Sequence, residues 1–338
     1  MKAYEIQGSF GIDRLRLAER PDPEPGPGEL LLAVQAVSLN HRDLMTVEGT
    51  YNPKQPLPLV PCSDAAAEVV AVGEGVTRFR QGDRVCPTFA RHWLSGEPER
   101  EKLRSTLGGP LDGTLAERIV VPAESAVAAP AHLSDEEAAT LPCAALTAWN
   151  AVVTHGRTKP GEVVVALGTG GVSLFALQFA RLVGARVIVT SSSDGKLARA
   201  RELGAWGTIN YRAEPDWERK VKELTGGRGA DLVIEVGGAG TFSRSLHAVR
   251  LGGTIVMIGA LSGGDAPLSV IPILMRQIRV QGMLVGDRES FEAMNRGVAA
   301  SGLRPVVDRV FPFEQAPDAF RHMASGEHFG KVVVRVAG

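Results

Sequence analysis

A short glycine-rich loop between a strand pattern and a helix pattern is the feature that most constrains this fold. Residues 162–167 read EVVVAL, a run typical of a buried strand, and residues 172–183 carry a helical pattern that stops at a glycine. The loop between them reads Gly168-Thr169-Gly170-Gly171-Val172-Ser173. Gly168 permits a tight turn, Gly170 lets the backbone approach a pyrophosphate, and the helix N-terminus offers N–H groups to phosphates. The loop predicts a dinucleotide site, although Ser173 replaces the usual third glycine. A glycine-rich turn without a ligand is the alternative.

Strand and helix patterns alternate after this loop. Strands are predicted at residues 162–167, 186–190, 208–211, 231–236, 254–258 and 279–285. Such alternation builds right-handed βαβ units, so residues 127–286 are predicted to form a Rossmann domain with a doubly wound parallel sheet. The carboxyl ends of its strands face the ligand. The candidate cofactor contacts there, each of which could instead be a turn or strand-edge residue, are Tyr211, Val236, Gly237, Gly259, Ala260 and Leu261.

The end of the second strand bears on which nicotinamide cofactor is bound. Folds that prefer NAD place an acidic residue about 20 residues after the loop, where it binds the ribose 2′-hydroxyl. Here residues 190–196 read TSSSDGK, with no carboxylate at the strand end. Ser191, Ser192 and Lys196 suit a 2′-phosphate, so NADPH is the predicted cofactor and NADH the alternative. The serines could equally form a capping loop, and Asp194 could be a helix N-cap.

The rest of the chain has a different pattern and predicts a second domain. Residues 1–126 contain short apolar runs punctuated by proline and glycine, which is typical of antiparallel β structure. Residues 287–338 return to strand character, so the two stretches are predicted to form one domain. The fold class is α/β.

Composition argues against several classes of function. The net charge of −1 leaves no basic excess to displace phosphate counterions, so no nucleic-acid partner is expected. Three cysteines cannot form a four-cysteine zinc site, and they favour a reducing compartment. The N-terminus lacks a signal-peptide pattern, and no uncharged apolar stretch of 18 residues predicts a membrane span. We expect a soluble cytoplasmic protein.

The order and spacing of several motifs resemble the medium-chain dehydrogenase/reductase superfamily over essentially the whole chain. The motifs are residues 25–29 (PGPGE), 38–43 (SLNHRD), 61–64 (PCSD), 82–85 (GDRV), 141–149 (LPCAALTAW), the glycine loop, and 329–333 (FGKVV). The resemblance implies a GroES-like β-barrel catalytic domain, a Rossmann domain and an active-site cleft between them. It also implies hydride transfer between a nicotinamide and a carbonyl, an alcohol or an activated alkene.

Zinc-dependent members of this family carry ligands that this sequence has mostly lost. The first ligand position reads Asn40, the Gly-His-Glu motif reads Cys62-Ser63-Asp64, and only Cys143 is retained. One thiolate cannot hold a catalytic zinc, which needs three protein ligands, so no metal is expected. The alternatives are an unconventional site of His41, Asp64 and Cys143, and, for Cys143, a small buried apolar role. The sequence therefore resembles the zinc-free quinone oxidoreductase-like branch.

Without zinc, the acceptor must still be polarised and protonated. Asn40 is the candidate donor to the acceptor oxygen, and its structural alternative is to cap a helix that begins at His41. By resemblance, the other residues lining the catalytic site are Tyr51, Ser63, Cys143 and Thr147, with Tyr51 a candidate proton donor. The resemblance also places Thr147 beside the nicotinamide and assigns cofactor contacts to His41, Phe329 and Lys331.

These inferences predict a zinc-independent, NADPH-preferring oxidoreductase that transfers a hydride to a quinone, an enone or a small carbonyl compound. A zinc-type NAD(P)-dependent alcohol dehydrogenase and a non-catalytic NADPH-binding sensor are the alternatives. The family commonly dimerises by continuing the Rossmann sheet, and the apolar strand at residues 279–285 would be the edge involved. We therefore expect a homodimer. The charged residues 91–113 are expected to form a surface loop or a short helix.

Overall fold

The computed structural model describes residues 1–337, which divide into two compact units. The first unit comprises Met1–Leu146 and the chain from Gly286 onward, and the second comprises Thr147–Val285. No helix among the described residues is both long and apolar enough to cross a membrane.

The N-terminal part of the first unit consists mainly of short strands. Its elements are β1 (Lys2–Ile6), β2 (Leu15–Glu19), β3 (Glu29–Ser38), α1 (His41–Val47), β4 (Asp64–Val72), β5 (Arg84–Pro87), α2 (Arg100–Leu103), β6 (Arg118–Pro122), β7 (Ala126–Ala128) and α3 (Asp135–Ala138). Single 3-10 turns lie at Ile12–Arg14 and Ala123–Ser125, and a π-helical segment follows at Leu141–Ala145. Buried and partly exposed residues alternate along β3, so the strand presents one apolar face to the core.

The second unit alternates strands and helices as its sequence predicts. After α4 (Leu146–Trp149) and a π-helical segment at Asn150–His155 come β8 (Val163–Leu167), α5 (Gly171–Leu182), β9 (Arg186–Ser191), α6 (Asp194–Glu202), β10 (Gly207–Asn210), α7 (Trp217–Leu224), β11 (Ala230–Glu235), a 3-10 turn at Gly238–Gly240, α8 (Phe242–Ala248), β12 (Val249–Met257), α9 (Ile271–Met275) and β13 (Arg279–Gly282). All six strands are parallel, in the order β10-β9-β8-β11-β12-β13. The order reverses beside β8, and a dinucleotide binds at such a switch point in folds of this topology.

The chain then returns to the first unit, as the C-terminal strand pattern predicts. The returning elements are α10 (Arg288–Ser301), β14 (Val307–Pro312), a 3-10 turn at Phe313–Gln315, α11 (Ala316–Ser325) and β15 (Lys331–Arg335). They complete a seven-stranded sheet in the order β14-β15-β3-β4-β5-β7, in which β6 also pairs with β3. β15 lies antiparallel to β3, so the first residues of β15 lie beside the last residues of β3.

Three details differ from the sequence-based expectations. The first unit extends to Leu146 rather than residue 126, because β7 pairs with β5 and α3 packs against β3 and β4. β12 begins at Val249, earlier than predicted, because Val249 already pairs with Ala230 before an irregularity in register. β13 ends at Gly282, and Val285 adopts a positive φ of 41°, which lies outside the β region.

Candidate active site

Asn40 begins α1 and joins it to the C-terminal strand. It is the N-cap residue, and its backbone N–H donates to Oδ2 of Asp43 at 2.8 Å, which forms the reciprocal half of a capping box. The capping alternative for Asn40 is therefore confirmed. Its side chain faces elsewhere, because Oδ1 accepts a hydrogen bond from Nζ of Lys331 at 2.6 Å.

Lys331 is almost fully buried, with 3% of its surface exposed. Its ammonium also donates to the carbonyl oxygen of Leu39 at 2.5 Å. The backbone N–H of Leu39 donates to the carbonyl oxygen of Val332 at 2.9 Å, so the end of β3 and the start of β15 are held together here. Two oxygen atoms, from the two residues that follow β3, thus fix the position of the ammonium group.

Two buried carboxylates lie in the same part of the first unit. Asp64 begins β4, and its two oxygens accept hydrogen bonds from Oγ of Ser63 at 2.7 Å and from the backbone N–H of Cys143 at 3.1 Å. Burial raises the pKa of Asp64, and the positive charge of Lys331 and the hydrogen bonds from its neighbours oppose that rise. Burial also raises the pKa of Asp43 to about 6, with the charge of Asp64 adding to the effect and that of Arg42 opposing it.

The amide nitrogen of Asn40 is one of several buried donors in this region that lack a well-directed hydrogen bond. Asn40 is 8% exposed, and its Nδ2 has no directed hydrogen-bond partner among residues 1–337. The Asn40 side chain acts on Asp64 as a hydrogen-bond donor and lowers the pKa of that carboxyl, so Nδ2 lies next to a carboxylate without making a well-directed hydrogen bond to it. A buried N–H without a partner is costly, so this atom is suited to an oxygen that arrives with a ligand.

Arg42 is the second residue of α1, and Tyr51 follows that helix in the chain. The guanidinium of Arg42 donates to the carbonyl oxygens of Leu107 and Gly109 and lies over the ring of Tyr51 at 5.1 Å. Arg42 therefore holds the 106–109 loop, which is buried rather than a surface loop; the short helix expected within residues 91–113 is α2. Tyr51 is 45% exposed, and the neighbouring His41 side chain is also exposed.

The glycine loop of the second unit has the geometry that its sequence predicts. Gly168 adopts a positive φ of 79°, and Gly170 is the N-cap of α5 with no capping side chain. A Cβ atom at Gly168 or Gly170 would meet nothing within 4 Å. The N-terminus of α5 therefore opens onto free space that a phosphate could occupy. Ser173 is buried, and its hydroxyl donates to the carbonyl oxygen of Leu167 at 2.6 Å, so it serves helix–strand packing as expected.

The segment after β9 contains both a cap and candidate phosphate contacts. Ser193 is the N-cap of α6, and its Oγ accepts a hydrogen bond from the backbone N–H of Lys196 at 3.4 Å. Asp194 is the first helical residue rather than the N-cap, and its carboxylate accepts a hydrogen bond from Nδ2 of Asn210 at 2.8 Å. Ser191 is buried, whereas Ser192 is half-buried and Tyr211 is exposed.

The ends of β11 and β12 are joined by backbone hydrogen bonds. The N–H groups of Leu261 and Ser262 donate to the carbonyl oxygens of Val236 and Gly237 at 3.2 Å and 2.7 Å. Gly259 and Ala260 lie in the same loop, next to the carboxyl end of the sheet. The structure thus brings the predicted strand-end residues together.

Comparisons with known proteins agree with both units. Residues 26–131 match the model of the alcohol dehydrogenase GroES-like domain, and residues 171–300 match that of the zinc-binding dehydrogenase. A zinc-type alcohol dehydrogenase-like protein of Schizosaccharomyces pombe is 44% identical over 96% of both chains. The chain belongs to the medium-chain dehydrogenase/reductase superfamily. It has the superfamily's GroES-like domain and Rossmann-like parallel sheet, and it is an NAD(P)H-dependent oxidoreductase.

Solved members of the superfamily share this fold. An NAD-dependent alcohol dehydrogenase is 38% identical, with a TM-score of 0.92 and complete coverage of both chains. A 2-octenoyl-CoA carboxylase reductase in complex with NADP and 2-octenoyl-CoA is 28% identical, with a TM-score of 0.88 over 99% of this chain and 87% of that chain. Relatives of this dehydrogenase/reductase therefore differ in cofactor and in substrate.

The cluster around Asn40 does not fit the zinc ion that the names of some relatives imply. No group of three or more histidine, cysteine and acidic residues within residues 1–337 has the geometry to hold a metal. Burial raises the pKa of the Cys62 and Cys143 thiols, which opposes the thiolate form that zinc needs. Oδ1 of Asn40 already accepts from the ammonium of Lys331, whose charge would repel a divalent cation.

The remaining predicted residues are buried in their own units. Thr147 is 3% exposed within the second unit. Phe329 is 1% exposed in the first, where its backbone N–H donates to Oδ1 of Asp308 at 3.1 Å. Lys331, which the resemblance assigned to the cofactor, directs its ammonium at Leu39 and Asn40; its role at the cofactor stays a prediction.

One functional-site residue was missed by sequence reasoning. Glu235 ends β11 and is fully buried, and its carboxylate accepts hydrogen bonds from the backbone N–H groups of Gly237 and Gly238 and from the hydroxyls of Thr241 and Ser245. It therefore shapes the loop after β11. An acidic residue within the otherwise apolar run of residues 232–236 was the available signal.

Proposed function

We propose that this dehydrogenase/reductase is a zinc-independent, NADPH-preferring enzyme that reduces a quinone, an enone or a small carbonyl compound. The observation that carries the proposal is the Asn40 amide. Its oxygen is held by Lys331, and its nitrogen makes no well-directed hydrogen bond, in a cluster that does not fit a metal. An N–H donor fixed in this way can stabilise the negative charge that develops on an acceptor oxygen during reduction.

Different residues of the chain bind the cofactor, polarise the acceptor and orient a buried carboxylate. NADPH, when bound, supplies the hydride. Gly168, Gly170 and the N-terminus of α5 would hold its pyrophosphate, and Nδ2 of Asn40 would donate to the acceptor oxygen. The hydroxyl proton of Ser63 is directed at Asp64, so Ser63 orients that carboxylate rather than protonating the product. Solvent supplies the proton.

The preference for NADPH rests on the segment between β9 and α6. It lacks an acidic residue at the strand end, and Asp194 is engaged with Asn210. Ser192, Lys196 and Tyr211 are the candidate contacts for a 2′-phosphate. The cofactors of relatives include both NAD and NADP, so similarity to them does not distinguish the two cofactors. The proposed preference therefore rests on residues of this chain.

Parallel titrations test the cofactor preference and turnover together. Tryptophan fluorescence is followed as NADPH or NADH is added, and NADPH carrying deuterium at C4 is then incubated with quinones, enones and aldehydes. We expect at least tenfold tighter binding of NADPH, deuterium retained on carbon of the enone or aldehyde products, and NADPH-dependent formation of quinol from the quinones. Equal affinity for the two cofactors overturns the NADPH preference, and binding without turnover of any acceptor favours a non-catalytic sensor.

A second candidate function is the oxidation of alcohols with NAD. It is favoured by the similarity to an NAD-dependent alcohol dehydrogenase and to a zinc-type alcohol dehydrogenase-like protein. NADH formation from primary and secondary alcohols, measured with and without added zinc, distinguishes it. A rate that requires zinc supports this candidate and contradicts the first.

We also propose that the enzyme is a homodimer formed through the edge strand β13. Nearby residues expose large apolar side chains, with Leu274 and Met275 each 70% exposed on α9. An uncovered strand edge beside exposed apolar residues favours pairing with a second copy. Light scattering at the size-exclusion peak should give twice the mass of 35.8 kDa, and a monomer contradicts this.

The free state of all three cysteines supports a reducing compartment such as the cytoplasm.

A further inference from the structure

The buried ammonium of Lys331 has a role that the glycine loop and the capping of α1 do not explain. A lysine with 3% exposure loses the hydration of its charge, and such burial needs compensating partners. Its two hydrogen-bond acceptors are Leu39 and Asn40, and neither is a carboxylate. The charge is thus applied to a neutral amide beside the buried Asp43 and Asp64.

We propose that Lys331 is a positioning residue for the reduction, which fixes and polarises the Asn40 amide so that Nδ2 donates to the acceptor oxygen. The inference rests on the proposed function and deepens it. It replaces the cofactor contact that resemblance assigned to Lys331 with a role exerted through Asn40. Lys331 would thereby supply the fixed positive charge that the zinc-type relatives' names imply for a metal.

The direction of the amide follows from the chemistry of the two groups. An ammonium has only N–H donors, so it can face the carbonyl oxygen of an amide but not the NH₂ group. With Oδ1 held at 2.6 Å from Nζ, rotation of the amide by 180° would place two donors against each other. Nδ2 must therefore point away from Lys331. A hydrogen bond to a charged group is stronger than one between neutral groups, so the ammonium favours this one orientation of the amide.

Polarisation adds to this orientation. A positive charge on the oxygen side of an amide draws electron density from its nitrogen, and linked hydrogen bonds strengthen one another in a region of low dielectric. Nδ2–H becomes a stronger donor to a developing oxyanion. A purely structural lysine would stabilise the fold by balancing Asp43 and Asp64, but it would not act on the reaction through Asn40.

A double-mutant cycle separates the two roles. The proteins compared are the wild type, Lys331→Met, Asn40→Ala and the double variant, with Arg335→Met as a control on the same strand. Arg335 is exposed at the other end of β15 and pairs with Glu136. For each protein, kcat/KM for the enone, the Kd of NADPH by fluorescence, and the unfolding midpoint are measured.

We expect kcat/KM to fall at least tenfold in each single variant. The kcat/KM of the double variant should be no more than about threefold below that of the less active single variant. The Kd of NADPH should change by less than threefold, and Arg335→Met should keep the wild-type rate. Losses that multiply in the double variant overturn the inference, as does a tenfold rise in the Kd of NADPH for Lys331→Met alone.

A second substitution covers the case in which Lys331→Met fails to fold. Lys331→Gln keeps an N–H donor but removes the charge, so it should retain part of the rate and again show no further loss with Asn40→Ala. Multiplicative losses with glutamine also overturn the inference. A wild type that binds NADPH but reduces no acceptor contradicts the proposed function, and the inference fails with it. A wild type that turns over with multiplicative losses contradicts the inference alone.

Discussion

Nζ of Lys331 lies 2.6 Å from Oδ1 of Asn40, although the two residues are 291 positions apart in the sequence. The contact joins the first turn of α1 to the start of β15, the last strand of the chain. The orientation of the Asn40 amide, which we propose as the donor to the acceptor oxygen, is therefore fixed only when the C-terminal segment has returned to its sheet. This dependence makes Asn40 the residue where the account is most easily tested.

Replacing Asn40 by aspartate should separate folding from turnover. Asn40→Asp keeps an oxygen to accept from Lys331 and keeps the backbone N–H that donates to Asp43, but it removes Nδ2 and adds negative charge beside a developing oxyanion. We expect a drop in kcat of about 100-fold, the usual effect of losing one such donor. Steady-state kinetics measure it, and circular dichroism and NADPH titration serve as controls. A rate within threefold of the wild type would mean that Asn40 only caps α1.

Gly170→Ala should weaken cofactor binding without weakening the fold. The backbone at Gly170 (φ −76°, ψ 179°) suits alanine, and its Cβ would meet no protein atom within 4 Å. The methyl group would instead occupy the space that the pyrophosphate requires. We expect the Kd of NADPH to rise at least tenfold with the unfolding midpoint nearly unchanged. Gly264→Ala, where a Cβ also meets nothing, is the matched control. An unchanged Kd for Gly170→Ala would place the cofactor elsewhere.

Reversing the charge at Lys196 should reverse the cofactor preference. Lys196→Glu places a carboxylate near the end of β9, where it repels a 2′-phosphate and can accept from a 2′-hydroxyl. The Kd of NADPH should rise at least tenfold while that of NADH changes little or falls. Arg201→Glu, with the same change of charge further along α6, should leave the ratio of the two Kd values as in the wild type. Equal changes for both cofactors would exclude Lys196 from the 2′-phosphate contact.

The buried carboxyl of Asp43 predicts a specific pH dependence of stability. Its pKa is raised from 3.8 to about 6, so the folded state holds the proton more tightly than the unfolded state. The stabilisation linked to this group is complete below about pH 4 and is lost as the pH rises through about 6. Relative to Asp43→Asn, the wild type should lose about 1.4 kcal/mol of unfolding free energy per pH unit within that window. Urea denaturation measures the difference; a difference that is constant or that grows with pH contradicts the raised pKa.

Local patterns predicted the second unit and its loop well. The apolar run at residues 163–167, the positive φ of Gly168 and the alternation of strands and helices depend on neighbouring residues, which a sequence displays directly. The capping role of Asn40 was also predictable, because Asp43 stands three residues later as in a capping box. The predicted boundary between the units lay too early in the sequence, because the pairing of β7 with β5 is a long-range contact that local patterns do not reveal.

Long-range polar contacts were beyond the reach of sequence patterns. The resemblance placed Lys331 near the cofactor, and nothing in the sequence ties it to Asn40. Nothing in the sequence ties Arg42 to the 106–109 loop, which Arg42 anchors through contacts more than 60 residues away. Glu235 read as part of a strand and proved to organise the loop that follows it. Each of these polar groups is recognised only when its partners in space are known.

The central claim is that hydride transfer in this enzyme does not depend on zinc. The most direct measurement is NADPH oxidation with an enone or quinone acceptor, using protein dialysed against a chelator and analysed for metals by mass spectrometry. We expect the rate to persist when the zinc content is below about one atom per ten chains, and we expect no increase on addition of zinc. A rate that disappears with the metal and returns on addition of one zinc per chain would contradict the account.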